Sequence, residues 1–143
     1  MEKGLNSYIL EKFDIKQQDI RTYSPLTLAY IGDEIYDLVI RTMVVGRGNT
    51  HPNELHRSTS GMVKAKAQSD MVEILMPHLS EEEISVYKRG RNAKSLTMAK
   101  NATMTEYRRA TGFEALMGYL YLSDRMDRLM ELVLLGLHGI NRI

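Results

Sequence analysis

The segment Pro25–Val44 constrains this chain more than any other. Ser24 offers an N-cap and Pro25 a fixed first turn, so a helix is expected to start there. It is expected to run to about Val44 and stop before the turn-rich Gly46-Arg47-Gly48-Asn49. At about 100° per residue, Leu28, Ile31, Ile35, Leu38, Val39 and Thr42 share one face. Leu26, Ala29, Tyr36 and Ile40 share the opposite one, and Thr27, Glu34, Asp37 and Arg41 form a narrow polar stripe between them. A helix apolar on two sides is covered on two sides, by its own domain or by a partner chain. Asp33 falls within the second apolar set. A carboxylate there loses water and must be paired, hydrogen-bonded or bound to a cation.

The rest of the chain also reads as helical. Three prolines and the lack of a long alternating pattern argue for an all-α class. A weak first helix is expected over 6–20. A third helix is expected from Thr50 and Pro52 to Leu75 or Met76, ahead of Pro77. Ser80-Glu81-Glu82-Glu83 matches a capping box opening a fourth helix that ends near Gly90. A polar, basic loop follows over 91–104. A fifth helix spans about 105–121, with Phe113, Leu116, Met117 and Leu120 inward, and Ser123-Asp124 caps a last one. With 143 residues and no linker or repeat, one domain covering 1–143 is expected.

Composition narrows the function. With no cysteine, a disulfide scaffold and thiolate-held zinc are both excluded, and a reducing, cytoplasmic setting is expected. No apolar run approaches the roughly twenty residues of a membrane span. Net charge is only +1, yet Lys88–Arg109 holds seven basic residues and one acid, a local +6 against −5 elsewhere. Such asymmetry points to a polyanionic partner. Within it, Arg91, Asn92, Lys94 and Lys100 stand among Ser95, Thr97 and Asn101, a mixture that donates well to phosphate and sugar oxygens.

A second acid, Glu114, lies at the edge of the fifth helix's apolar face, with Tyr107 and Tyr121 seven residues to either side and Gly118 one turn on. Two half-buried acids on separate helices suggest a divalent metal site; the alternative for Glu114 is a structural acid bonded to tyrosine hydroxyls. Gly32, beside Asp33, costs about 1 kcal/mol against alanine inside a helix. It therefore signals close approach of a backbone or a ligand. The four histidines form no ligand pair at i, i+4 and read as structural or surface residues.

Four segments carry a family resemblance. Leu28-Ala29-Tyr30-Ile31-Gly32-Asp33-Glu34-Ile35-Tyr36 resembles the metal-binding helix of ribonuclease III catalytic domains. Thr111-Gly112-Phe113-Glu114-Ala115-Leu116-Met117-Gly118-Tyr119-Leu120 resembles that family's second acidic motif. Lys88-Arg89-Gly90-Arg91-Asn92-Ala93-Lys94-Ser95 is similar to the mini-ribonuclease III branch, which lacks a double-stranded-RNA-binding domain. So is the stretch from Pro52-Asn53-Glu54-Leu55-His56 to Ala65-Lys66-Ala67-Gln68. The resemblance implies an all-helical, homodimeric endonuclease that cuts double-stranded RNA with magnesium and trims the large-subunit ribosomal RNA precursor. It implies that Asp33 and Glu114 are the catalytic, metal-holding acids, and that Arg89, Arg91, Asn92, Lys94 and Lys100 contact RNA. Ala29 and Thr111 stand where larger members of the family carry further acids, which leaves two carboxylates to hold the metal. A non-catalytic helical RNA-binding or ribosome-assembly module, or a purely dimeric interaction domain, would fit the same composition without cleavage.

Overall fold

The computed structural model describes residues 4–94 and 102–143. Among these residues seven α-helices follow one another: α1 Leu5–Lys12, α2 Pro25–Gly46, α3 Pro52–Val63, α4 Ala65–Leu75, α5 Glu81–Asn92, α6 Met104–Leu122 and α7 Met126–Gly139. Two 3-10 turns, Ile20–Thr22 and Met76–His78, punctuate them. No strand occurs among the described residues, in keeping with the expected all-α class.

α6 is the central element, packing against α2, α4, α5 and α7. Every residue from Ala110 to Tyr121 except Glu114 is buried. A helix buried all round is enclosed on all sides, so the single inward face expected for it is too narrow a description. Its small residues let neighbours close in. A Cβ on Gly32 would stand 1.7 Å from the Glu114 carbonyl oxygen, and one on Gly118 would stand 2.0 Å from the Leu28 carbonyl oxygen. α2 and α6 therefore touch backbone to backbone, glycine against carbonyl, in both directions. The core around this crossing includes Tyr36 and Phe113, whose rings meet edge to face at 5.0 Å. That geometry adds about 0.5–1.5 kcal/mol beyond the buried area.

Three local expectations change. The third helix is two helices, broken at Lys64, whose φ of −65° and ψ of 156° are extended. No glycine or proline marks the break; the freed carbonyls of α3 are satisfied from elsewhere instead. The Tyr36 hydroxyl donates to the Met62 carbonyl at 2.7 Å. The Gln68 amide donates to the Val63 carbonyl at 2.8 Å. The first helix stops at Lys12, because Asp14 adopts a left-handed φ of 54° and the Ile15 amide turns back to the Leu10 carbonyl at 2.8 Å. The basic segment stays helical through Asn92, so Arg91 and Asn92 belong to α5 and not to a loop.

The capping box at Ser80 and Glu83 forms as expected. Glu83 also fastens α5 to α7: its side chain is 1 % exposed, and Arg128 donates to both its carboxyl oxygens at 2.8 Å. Those bonds, together with the Ser80 amide, lower its pKa to about 2 despite its burial.

Candidate functional site: a carboxylate pair beside a half-buried cavity

The α2–α6 crossing determines where the two acids lie. Gly32 rests against the Glu114 backbone, so the next residue on α2, Asp33, emerges beside the Glu114 side chain. The two carboxyl groups lie within hydrogen-bonding reach of each other. Residues 81 positions apart in sequence thus converge, as the resemblance implies.

Their surroundings differ, and here the helical wheel is corrected. Asp33 is exposed, not half-buried. Ala29, Tyr36 and Ile40 of the second apolar set are buried, but Leu26 at its N-terminal end is 41 % exposed, and Asp33 shares that open side. Glu114 is the sheltered partner. Burial raises its pKa most, and the hydrogen bond to Asp33 and that group's charge add to the effect, bringing it to about 8. Gln68 opposes the rise by bonding to the ionised form. One oxygen-rich pair, half sheltered, with charge repulsion to relieve, suits a hard divalent cation. Among the described residues no third aspartate, glutamate, histidine or cysteine joins it. A cation held there would take its remaining ligands from water and from a substrate.

Glu114 also lines a cavity of about 480 Å3 together with Ser60, Lys64, Lys66, Gln68 and Tyr107. Gln68 is absent from the site residues expected from sequence, although a signal exists. It shares the inward stripe of α4 with Met71, Val72 and Leu75, so a polar residue stands where the period asks for an apolar one.

The expected RNA contacts gather at the end of α5. Arg89, Asn92 and Lys94 are exposed. Arg91 is half-buried, with its guanidinium 5.8 Å from the Tyr87 ring centre and its Nε donating to Asn92 at 3.2 Å. Arg89 and Asn92 line a shallow depression with Lys88 and Pro25, apart from the carboxylate pair. Lys100 lies outside the described residues.

An all-helical domain that carries two acidic stretches like those of ribonuclease III on packed helices is of the ribonuclease III type. The chain belongs to the ribonuclease III family: the Ribonuclease III domain matches residues 26–125, and the protein is an endoribonuclease. Its similarity is to members named Mini-ribonuclease 3. That of Enterococcus faecalis is 51 % identical over 118 residues, spanning 81 % of this chain and 89 % of the relative. That of Clostridium tetani is 48 % identical over 125 residues, 85 % of this chain and 83 % of the relative. That of Thermoanaerobacter is 43 % identical over 140 residues, 98 % and 99 % of the two chains. A crystal structure of a Fusobacterium nucleatum protein matches with a TM-score of 0.75 at 34 % identity, covering 81 % of this chain and 94 % of that one. No helix among the described residues is long and apolar enough to cross a membrane.

Proposed function

We propose that the protein cleaves double-stranded RNA in a magnesium-dependent reaction, as a homodimer, and matures the ends of the large-subunit ribosomal RNA precursor. The observation that carries this reading is the meeting of Asp33 with Glu114, which lines a cavity together with Lys66 and Gln68. These two residues would hold the cation, which when bound supplies Lewis acidity toward a phosphodiester and lowers the pKa of an attacking water. Glu114, sheltered on one side, fixes the inner edge of the site; Asp33, exposed, faces the strand. Arg89, Arg91, Asn92 and Lys94 hold the A-form backbone through phosphate and ribose contacts, which orient the scissile bond without reading sequence. Hydrolysis leaves a 5′-phosphate and a 3′-hydroxyl. An apolar patch supports the dimer reading: Tyr30, 78 % exposed, and Leu26 lie on the open side of α2 next to Asp33. A twofold partner would cover them, giving one site for each RNA strand.

The test is cleavage of a perfect RNA duplex with magnesium, with EDTA, and with the Asp33→Asn variant. Cleavage is expected only with magnesium. The variant binds the duplex like the wild type and cleaves it at least about 100-fold more slowly. An Asp33→Asn protein that cuts at the wild-type rate removes Asp33 from the reaction.

A further inference from the structure

Gln68 is not explained by the carboxylate pair alone. It is 2 % exposed, and fixing so long a polar side chain forfeits rotamer freedom. Its Nε2 donates to the Val63 carbonyl at 2.8 Å. That bond sets the orientation of the amide, because the flipped form would place two acceptors against each other. Oε1 is then fully buried without a hydrogen-bond partner among the described residues. The same amide lies within reach of the Glu114 carboxyl, and both side chains line the 480 Å3 cavity. A buried acceptor that finds no donor among the described residues calls for one from outside them, and Gln68 lines a cavity that can hold one. The waters of a hydrated magnesium ion are such donors, since magnesium keeps several of them and each hydrogen-bonds outward.

We propose that Gln68 is a positioning residue of the cation site, its Oε1 accepting a hydrogen bond from a water of the cation's hydration shell while its amide steadies the Glu114 carboxyl. This rests on the magnesium reading above. It gives α4 a part in a site whose charged ligands come only from α2 and α6, and it assigns a task to the break between α3 and α4. The Val63 carbonyl, freed at that break, is what turns Oε1 away from the backbone.

The experiment measures Mn2+ binding to the RNA-free full-length chain by the electron paramagnetic resonance of free Mn2+, alongside thermal unfolding and cleavage as a function of magnesium. Gln68→Met keeps the side-chain length and removes both polar atoms. It is expected to weaken Mn2+ binding about 10–100-fold. The magnesium concentration for half-maximal cleavage rises by the same factor, and duplex binding in EDTA is unchanged. Gln68→Leu removes the same polar atoms from a shorter side chain and is expected to weaken Mn2+ binding to the same degree, which carries the test if the Met variant does not fold. A folded Met or Leu variant with wild-type Mn2+ affinity makes Gln68 purely structural and overturns the proposal. Wild-type protein that takes up no Mn2+, or Asp33→Asn protein that binds it like the wild type, overturns the magnesium reading itself and the proposal with it.

Discussion

Replacing Gly32 by alanine adds one methyl group where α2 crosses α6. The new carbon would lie 1.7 Å from the Glu114 carbonyl oxygen and 2.7 Å from the Gly118 nitrogen. Both are backbone atoms, so no side chain can swing aside. Opening the shorter approach to even 3.0 Å moves the backbones apart by 1.3 Å. Overpacking of this kind costs about 1–3 kcal/mol, and the better helix propensity of alanine returns about 1 kcal/mol. Against a total stability of about 5–15 kcal/mol the protein stays folded, with a melting temperature lower by up to about 8 °C. The site is less tolerant: constellations of this sort must hold within about 0.5 Å, and a misplacement of about 1 Å lowers rates about 100-fold. Single-turnover cleavage of a duplex in saturating magnesium is therefore expected to fall about 100-fold in Gly32→Ala, with duplex binding in EDTA retained. Gly46→Ala is the matched control, since a Cβ there meets nothing within 4 Å. It should cleave normally and gain up to about 1 kcal/mol. If Gly32→Ala cleaves as well as Gly46→Ala, the crossing does not set the distance between the acids.

Two further outcomes follow from charge. Arg89→Ala with Lys94→Ala should weaken duplex binding uniformly across sequences and flatten its dependence on salt by about one logarithmic unit for each phosphate no longer neutralised; filter binding between 50 and 200 mM salt measures this, and an unchanged slope takes both residues out of the interface. Glu83, with its pKa lowered to about 2 by Arg128, stabilises the fold at pH values above its ordinary carboxyl range, and that stabilisation is lost as pH falls from about 4.5 toward 2. The shift corresponds to about 3 kcal/mol, so urea midpoints of wild type and Glu83→Gln should differ clearly at pH 7 and converge near pH 2. A constant difference across that window would show that the Arg128 bonds contribute nothing to stability.

Much of this architecture is legible in the sequence where local chemistry decides it. Ser24 with Pro25, and Ser80 with Glu83, mark helix starts through bonds made within one turn, and both appear in the structure. Gly32 is legible as a close approach, because its helical penalty asks for compensation, and the compensating neighbour is the Glu114 backbone. The break at Lys64 is not legible, since its cause lies in distant donors: Tyr36, 26 residues upstream of Met62, and Gln68 on the next helix. Nor is the exposure of Asp33. A helical wheel ranks directions but does not show where a neighbouring helix ends its cover, and Asp33 lies just past that edge. Two acids on apolar helix faces suggest that Asp33 and Glu114 share a cation, and the resemblance ties them to one site, but no periodicity relates two helices so far apart in sequence.

A crossing held by glycine against carbonyl has its span fixed by covalent geometry, not by the volume of the residues filling the interior. Exchanging Leu, Ile or Met elsewhere in the core changes how firmly the bundle holds together, while the gap between Asp33 and Glu114 stays as the two peptide backbones leave it. Thermal robustness and turnover can therefore drift independently in proteins built this way, and an engineer could repack the interior for heat resistance while leaving the chemistry untouched.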